Sequence, residues 1–429
     1  MNSPLSKPVF WLLLSIVSAA SMAHYVTAIW SSNQPSHFSD LYAPWWAAHE
    51  LLLHGRNPYS PAIAHEIQSV IYGAPTASSP QDPEGIAGGF AYPPYATLLL
   101  WPTVHLSFPV AQKVFFCTSV LVTLLSLALW MRVLRFRPPP LQWLALALFV
   151  LGSFPALQAI KLQNLSLMAA ALIAITLFLF STNLPILAGI FLAAATFKPQ
   201  FTVTLIPWLV LWTVADWRRR RSLVWSFLVT VFLLAVVSEW LVPGWIPSFL
   251  HVVRAYRHYT FGRSLLDVWF TSTFGYVASA VLLLTALALC WPHRSQPAGS
   301  PRFLIVISLL LSVNLVVVPT LAPHAQLLLL PGFLCLLSIP TSLRASNSFA
   351  RRLRIAVWVL LMWPWIAAFA LLLSEIVVPA STLLRFWEVP LYTSPLLPLA
   401  VSLALGCLLF ASSRAPDWPA RGFPSDRVT

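Results

Sequence analysis

The chain has 429 residues, of which 59% are hydrophobic and only 9% charged, and its mean hydropathy is +0.79. Soluble domains carry roughly 25% charged residues, so these values exclude a water-soluble fold and predict an all-α, polytopic membrane protein. The formal charge of +13 does not indicate nucleic-acid binding, because the basic residues lie in short clusters between apolar runs and form no face interleaved with aromatics.

Apolar runs of membrane-spanning length recur from one end of the chain to the other. The first run is followed by Ser21-Met22-Ala23 and could be a cleaved signal peptide, but its continuation to Trp30 favours an uncleaved helix. We predict one membrane domain, residues 1–429, with about twelve transmembrane helices of the GT-C arrangement discussed below. The predicted spans are residues 9–30, 110–131, 141–159, 163–181, 184–196, 199–215, 222–241, 265–291, 303–321, 325–340, 353–378 and 392–411.

The basic residues segregate to one side of these spans. The run Arg218 to Arg221 and the group Arg351, Arg352 and Arg354 fall on the same side as both chain ends. Cytoplasmic loops are enriched in Lys and Arg, so we expect both termini, including the tail 415–429, to be cytoplasmic. The longer loops then lie on the extracytoplasmic side, where function is expected.

The first extracytoplasmic loop, residues 31–92, is the largest stretch outside the predicted spans. Residues 40–54 have an amphipathic pattern that ends at Gly55, which predicts an interfacial helix with its tryptophans at headgroup level. Residues 93–108 are apolar but broken by prolines, and we predict a re-entrant or interface-lying segment. Further outer segments are expected at 242–264 and 379–391.

Motifs for nucleotides and metals are missing from the sequence. It has no phosphate-binding glycine loop and no Asp-x-Asp, so a soluble nucleotide substrate is not expected. The segment from His49-Glu50 to His54 resembles a zinc motif, but a spacing of five turns the second histidine about 140° from the first. No metal site is therefore predicted. The cysteines, none of them in a Cys-x-x-Cys pair, predict neither a disulfide framework nor a zinc site: Cys117, Cys290, Cys335 and Cys407.

Asp40 stands just outside the first span, at the start of the interfacial helix. One interpretation is a carboxylate that caps the helix N-terminus and complements the helix dipole. The functional interpretation is a general base at a membrane-surface cavity, where an ionised aspartate accepts a proton from an attacking hydroxyl.

Three basic side chains are predicted at outer ends of spans: Lys161, Lys198 and His324. Snorkelling of long side chains at helix ends is the alternative for each of them. Together they would form a receptor for an anionic headgroup such as a phosphate. Arg254 and Arg257 in the second outer loop could add to it, although a solvated face is favoured for most of the basic residues in that loop.

An ordered set of short motifs resembles glycosyltransferase family 87, of the GT-C type, which includes polyprenyl-phosphate-mannose-dependent mannosyltransferases of bacteria. The motifs spread over residues 40 to 331 in the family's order. They are Asp40 followed by Trp45-Trp46-Ala47-Ala48 and Gly55-Arg56-Asn57-Pro58-Tyr59, then Phe90-Ala91-Tyr92-Pro93-Pro94-Tyr95, Gln163-Asn164, Lys198-Pro199, and Pro323-His324 before Pro331.

The resemblance implies an inverting transfer of a sugar, a hexose such as mannose or a pentose, from a polyprenyl-phosphate donor to a glycolipid or glycan acceptor. It implies a bacterial cytoplasmic membrane and no further cofactor. Asp40 would be the base, with Lys161, Lys198 and His324 stabilising the departing phosphate. Further residues would contact the sugar or acceptor, with interface packing as the alternative for the tyrosines: Tyr42, Tyr59, Tyr92, Gln163 and Asn164.

The alternative function is a lipid-linked saccharide flippase without chemistry of its own. Transporters place charged groups near the bilayer midplane and often contain paired repeats, whereas here the charges gather at span ends and no fixed-period repeat is found. The enzyme is therefore favoured. Expected partners are membrane lipids, the donor and the acceptor, without nucleic acid, and the oligomeric state is left open.

Overall fold

A computed structural model describes residues 8–31, 39–80, 82–259, 263–318, 322–338, 348–374, 376–379 and 393–413, together with 382, 386 and 389. Within these ranges the chain is helical and contains no strand beyond an isolated bridge between Ser79 and Asp82. The all-α prediction is confirmed for this part of the chain. The predicted tail 415–429 and most of the outer segment 379–391 lie outside the described residues.

Seventeen α-helices follow one another along the described residues. They are α1 (Pro8–Ser31), α2 (Tyr42–His54), α3 (Pro61–Tyr72), α4 (Phe108–Val133), α5 (Pro140–Leu151), α6 (Phe154–Leu162), α7 (Ser166–Ser181), α8 (Pro185–Ala195), α9 (Leu205–Val214), α10 (Trp217–Leu241), α11 (Trp245–Tyr259), α12 (Leu265–Trp269), α13 (Ser272–Cys290), α14 (Pro301–Val317), α15 (Leu330–Ser338), α16 (Ser348–Ser374) and α17 (Leu396–Ser413). Short 3₁₀ helices connect some of them, at Pro94–Leu99, Trp101–Thr103, Pro199–Phe201, Trp291–His293 and Pro323–Leu329.

Proline and glycine explain many of these boundaries. Pro140, Pro185 and Pro301 each occupy the first turn of a helix. Backbone N–H groups in the first turn have no acceptor within the helix, so proline loses no hydrogen bond there, and its ring already fixes a helical φ. Gly55 ends α2 with a left-handed φ of 65°, a conformation that glycine adopts without a steric penalty.

Four helical segments are long and apolar enough to cross a membrane: Phe108–Val133, Trp217–Leu241, Ser272–His293 and Ile355–Ser374. The pair α5 and α6, bent by 60°, adds a fifth if it is one broken span. The protein is therefore membrane-embedded. The predicted count of twelve stays a prediction, because the other predicted spans correspond to apolar helices shorter than the bilayer requires. These are Trp11–His24, Ser166–Ser181, Pro185–Ala195, Leu205–Val214, Pro301–Val317, Pro323–Ser338 and Leu396–Ala411.

The helices pack closely through small residues. In α8, a Cβ built on Gly189 would lie 2.6 Å from the carbonyl oxygen of Leu223 in α10 and would also meet the Ser226 hydroxyl. Membrane helices use such small residues because lipid supplies no hydrophobic drive for their association, so close van der Waals contact holds them together. The α8–α10 contact therefore depends on the absence of a side chain at position 189.

The helix predicted at residues 40–54 exists as α2, and one of its tryptophans is buried in protein. Trp45 is only 5% exposed, its ring packs 5.1 Å from that of Phe108, and its Nε1–H donates to the Thr103 carbonyl at 3.1 Å. Protein therefore surrounds the Trp45 ring and satisfies its N–H, and the position of α2 relative to the membrane stays a prediction. Residues 94–103 form the first two 3₁₀ helices, and their re-entrant position stays a prediction.

Candidate active site

Asp40, Asn164 and Lys198 form one continuous hydrogen-bonded chain. The Asn164 amide donates from Nδ2 to Asp40 Oδ2 at 2.6 Å, and the Lys198 ammonium donates to Asn164 Oδ1 at 2.7 Å. Both ends of one amide are thus used, the nitrogen by the acid and the oxygen by the amine. The carboxylate and the ammonium are held on opposite sides of a single side chain.

The end of α6 positions this amide. Gln163 takes a left-handed φ of 56°, which turns the chain away from the helix axis immediately before Asn164. The Gln163 side chain donates from Nε2 to the Gln112 carbonyl at 2.9 Å and so ties the turn to α4. The Asp40 N–H donates to the Leu162 carbonyl at 2.8 Å. Backbone and side-chain contacts therefore join the start of α2 to the α6–α7 turn.

Ser166 completes the group, although the sequence analysis did not single it out. Its hydroxyl donates to Asn164 Oδ1 at 2.5 Å and accepts from Lys198 Nζ at 2.6 Å, and its N–H donates to the same Asn164 oxygen at 2.8 Å. An asparagine that accepts from the backbone two residues later is a common local turn. The Asn-x-Ser spacing was therefore the available sequence signal for Ser166.

The alternative role of Asp40 as a helix cap does not match the geometry. Leu41, not Asp40, occupies the cap position of α2, and no side-chain hydrogen bond caps the helix. The Asp40 carboxylate bonds to Asn164 instead. No hydrogen bond from another described residue occupies Oδ1, so one carboxylate oxygen is held and the other is available.

Burial shifts both charged groups of the chain towards neutrality. Lys198 is only 5% exposed, and this desolvation lowers its pKa to about 7 against the opposing effect of Asp40. Burial raises the pKa of Asp40, although the Asn164 hydrogen bond and the Lys198 charge both act in the lowering direction. Burial and charge partners that shift pKa values in this way are typical of functional sites.

Of the predicted cations, Lys198 and His324 come together and Lys161 does not. His324 is the second residue of the 3₁₀ helix Pro323–Leu329, which packs against α6 and α7. Its imidazole is within electrostatic range of the Lys198 ammonium. Lys161 is exposed at the end of α6. No hydrogen bond or ion pair joins it to another described residue, which agrees with the snorkelling alternative.

The two arginines of the second outer loop lie apart from this group. Arg254 and Arg257 are exposed on α11, and Arg257 donates from Nη2 to the Tyr276 hydroxyl at 2.6 Å. No contact between described residues links either guanidinium to Asp40 or Lys198. Another α11 residue, Tyr256, interacts electrostatically with Tyr92.

Only one of the three predicted tyrosines borders the charged group. The Tyr92 ring centroid lies 5.9 Å from Lys198 Nζ. Tyr59 is buried and donates its hydroxyl to the Tyr92 carbonyl at 2.6 Å, so it supports the backbone there. Tyr42 packs edge-on against Phe108, with ring centroids 4.8 Å apart. Packing is therefore the observed role of Tyr42 and Tyr59.

The expected separation of His49 and His54 is wrong. Their rings lean towards each other at the end of α2, with centroids 5.4 Å apart, and one ligand atom from each of them and from Glu50 lies within 4.8 Å of the others. The helical-wheel argument describes only the directions in which the Cβ atoms point. The imidazole side chains are long enough to bend towards each other although their Cβ atoms point apart.

A family model for glycosyltransferase family 87 matches residues 90–319, more than half of the chain. The chain belongs to glycosyltransferase family 87. The matched range contains Tyr92, Asn164 and Lys198, whereas Asp40 precedes it and His324 follows it. No curated protein and no solved structure matches the chain.

Membership of glycosyltransferase family 87 identifies the protein as a membrane-embedded glycosyltransferase. In this family 87 protein the Asp40 carboxylate offers a proton acceptor, and Lys198 offers positive charge on the other side of Asn164. Burial and the nearby Lys198 charge lower the pKa of His324, so its imidazole adds a neutral polar group. The aromatic rings of Tyr92 and Phe201 lie 5.9 and 5.4 Å from Lys198 Nζ and shield it from water. Charge interactions are stronger in such a desolvated site than in bulk solvent.

Proposed function

We propose that this glycosyltransferase moves a sugar, a hexose such as mannose or a pentose, from a polyprenyl-phosphate donor to a glycolipid or glycan acceptor. The reaction takes place on the extracytoplasmic side of a bacterial cytoplasmic membrane. The observation that carries the proposal is the Asp40–Asn164–Lys198 chain. It holds a carboxylate for a hydroxyl proton and an ammonium for a phosphate on the two sides of one amide.

The transfer is a single displacement at the anomeric carbon. The acceptor oxygen forms the new bond as the bond from that carbon to the phosphate oxygen breaks on the opposite face, which inverts the configuration. The acceptor proton passes to Asp40, and the electron pair of the broken bond leaves with the lipid phosphate. General-base help of this kind contributes typically 10²–10⁴-fold.

Lys198 is suited to the departing phosphate. Asn164 and Ser166 accept two of its three N–H groups, so one donor is left for a phosphate oxygen. Positive charge fixed in advance stabilises negative charge that develops in the transition state without reorganising solvent. His324 adds a second polar group on the same side, and a lipid monophosphate can be neutralised by such side chains.

The direct test is reconstitution of the purified protein in vesicles with labelled polyprenyl-phosphate sugars and candidate glycolipid acceptors. We expect wild type to form labelled product and Asp40→Asn to lose about 10²-fold or more in rate. Asp216→Asn, which changes an aspartate between α9 and α10, is the matched control and should keep full activity. An undiminished rate for a folded Asp40→Asn variant contradicts the base assignment. Movement of intact donor between leaflets without its consumption would establish the transporter alternative.

A further inference from the structure

Three side chains at the end of α2 are arranged like a set of metal ligands. His49 Nε2 lies 4.0 Å from Glu50 Oε1, and the ligand atoms of His49, Glu50 and His54 all lie within 4.8 Å of one another. Two imidazoles and one carboxylate are a common donor set for zinc, with water in the fourth position. The zinc–ligand distance of about 2.1 Å requires the three atoms to draw together by roughly 1 Å.

Two of the three candidate ligands are already oriented by a second partner. His49 Nδ1 lies 2.8 Å from the Val104 carbonyl, so the proton belongs on Nδ1 and the lone pair on Nε2 points to the cluster. Glu50 accepts from Arg56 on Oε2 at 2.7 Å, and no other described residue bonds to Oε1. Metal-binding histidines and carboxylates usually have such outer partners, which fix the ring orientation and the free oxygen.

The local charge also favours a cation in a protein that is basic as a whole. Arg56 lies between two acids, Glu50 at 2.7 Å and Glu66 at 2.6 Å, so the three groups carry a net charge of about −1 when ionised. Neutral His49 and His54 add lone pairs without adding charge. His54 is exposed, and a change of rotamer at an exposed side chain can supply the small movement that coordination requires.

We propose that His49, Glu50 and His54 bind one divalent transition-metal ion of the zinc class. The site lies roughly two to three helical turns from the Asp40 end of α2, so the ion has no part in glycosyl transfer. His49 contacts the Val104 carbonyl after the second 3₁₀ helix, and Glu50 contacts Arg56 before α3. The ion therefore stabilises the contacts of the end of α2 with the segment after the second 3₁₀ helix and with the segment before α3.

The test uses full-length protein with a histidine-free tag, stripped of metal with a chelator and titrated with zinc chloride. We expect calorimetry to show one zinc ion per chain and the Tm to rise with zinc, because an ion that binds only the folded state stabilises it. His54→Ala should weaken zinc binding by about 10- to 100-fold or more without lowering glycosyl transfer. His105→Ala, which removes an exposed histidine next to Val104, is the matched control and should bind zinc like wild type.

Three results would overturn the proposal. They are no saturable zinc binding by wild type, equal affinity of wild type and His54→Ala, and equal loss in His54→Ala and His105→Ala. Visible absorption of the cobalt-loaded protein gives a second readout, since four-coordinate nitrogen and oxygen ligation produces strong bands that His54→Ala should abolish. Neither measurement depends on the donor or acceptor sugar, so failure here leaves the transfer reaction untouched.

Discussion

Asn164 donates a hydrogen bond to Asp40 at 2.6 Å across a sequence separation of 124 residues. The bond joins the segment just before α2 to the turn between α6 and α7. Because the other end of the same amide accepts from Lys198, displacement of Asn164 changes the acid and the amine together. Asn164 is thus a positioning residue in the proposed reaction, in addition to its predicted contact with substrate.

Replacement of Asn164 by alanine should shift the acid limb of the pH–rate profile. The amide hydrogen bond lowers the pKa of Asp40, so its loss raises that pKa and moves the acid limb of kcat/KM to higher pH. We also expect kcat to fall about 10-fold or more, because the carboxylate loses its fixed position. Transfer assays across a pH series measure both effects. Unchanged profiles in a folded Asn164→Ala protein would contradict the positioning role.

Wild-type activity should have a bell-shaped pH dependence. Asp40 must be ionised, so activity falls as the pH drops through its pKa, which burial places above the ordinary value. Lys198 must be charged, so kcat/KM falls as the pH rises through about 7. The bound phosphate favours the charged amine, and the alkaline limb of kcat should therefore lie at higher pH than that of kcat/KM. If the alkaline limbs of kcat and kcat/KM coincided, donor binding would not change the pKa of Lys198.

The Ser166→Ala variant tests the support of Lys198. Its hydroxyl accepts from the ammonium and so stabilises the charged form. Without it we expect the Lys198 pKa to fall and the alkaline limb of kcat/KM to move to lower pH, with about a 10-fold loss of kcat/KM at neutral pH. Ser166→Thr keeps an acceptor oxygen, so its alkaline limb of kcat/KM should lie at the wild-type pH. A lower expression level without any change in the profile would indicate a purely structural role.

Gly189→Ala should destabilise the packing of α8 on α10. The added Cβ would overlap the Leu223 carbonyl and the Ser226 hydroxyl, and overpacking of this kind costs typically 1–3 kcal/mol. The Tm measured in detergent should fall accordingly. Gly299→Ala is the control, because a Cβ there meets nothing within 4 Å. Equal Tm values for the two variants would show that α8 and α10 can move apart with little loss of stability.

The sequence by itself determined the class of protein and several of its reactive groups. Its apolar composition leaves no soluble fold, and proline and glycine positions such as Pro140 and Gly55 set helix boundaries through local backbone restraints. The ordered motifs also indicated the family that the match over residues 90–319 established. These features can be predicted from the sequence because composition, φ restrictions and short motifs belong to local stretches of chain.

Only the tertiary structure decided which candidates share a site. Lys161 and Lys198 look alike in sequence, yet one is exposed at the end of α6 and the other is buried against Asn164. The burial of Trp45 and the approach of His49 to His54 were likewise decided by packing. The physical reason is that hydrogen bonds and desolvation depend on distances between segments far apart in the chain, and local periodicity carries no information about those distances.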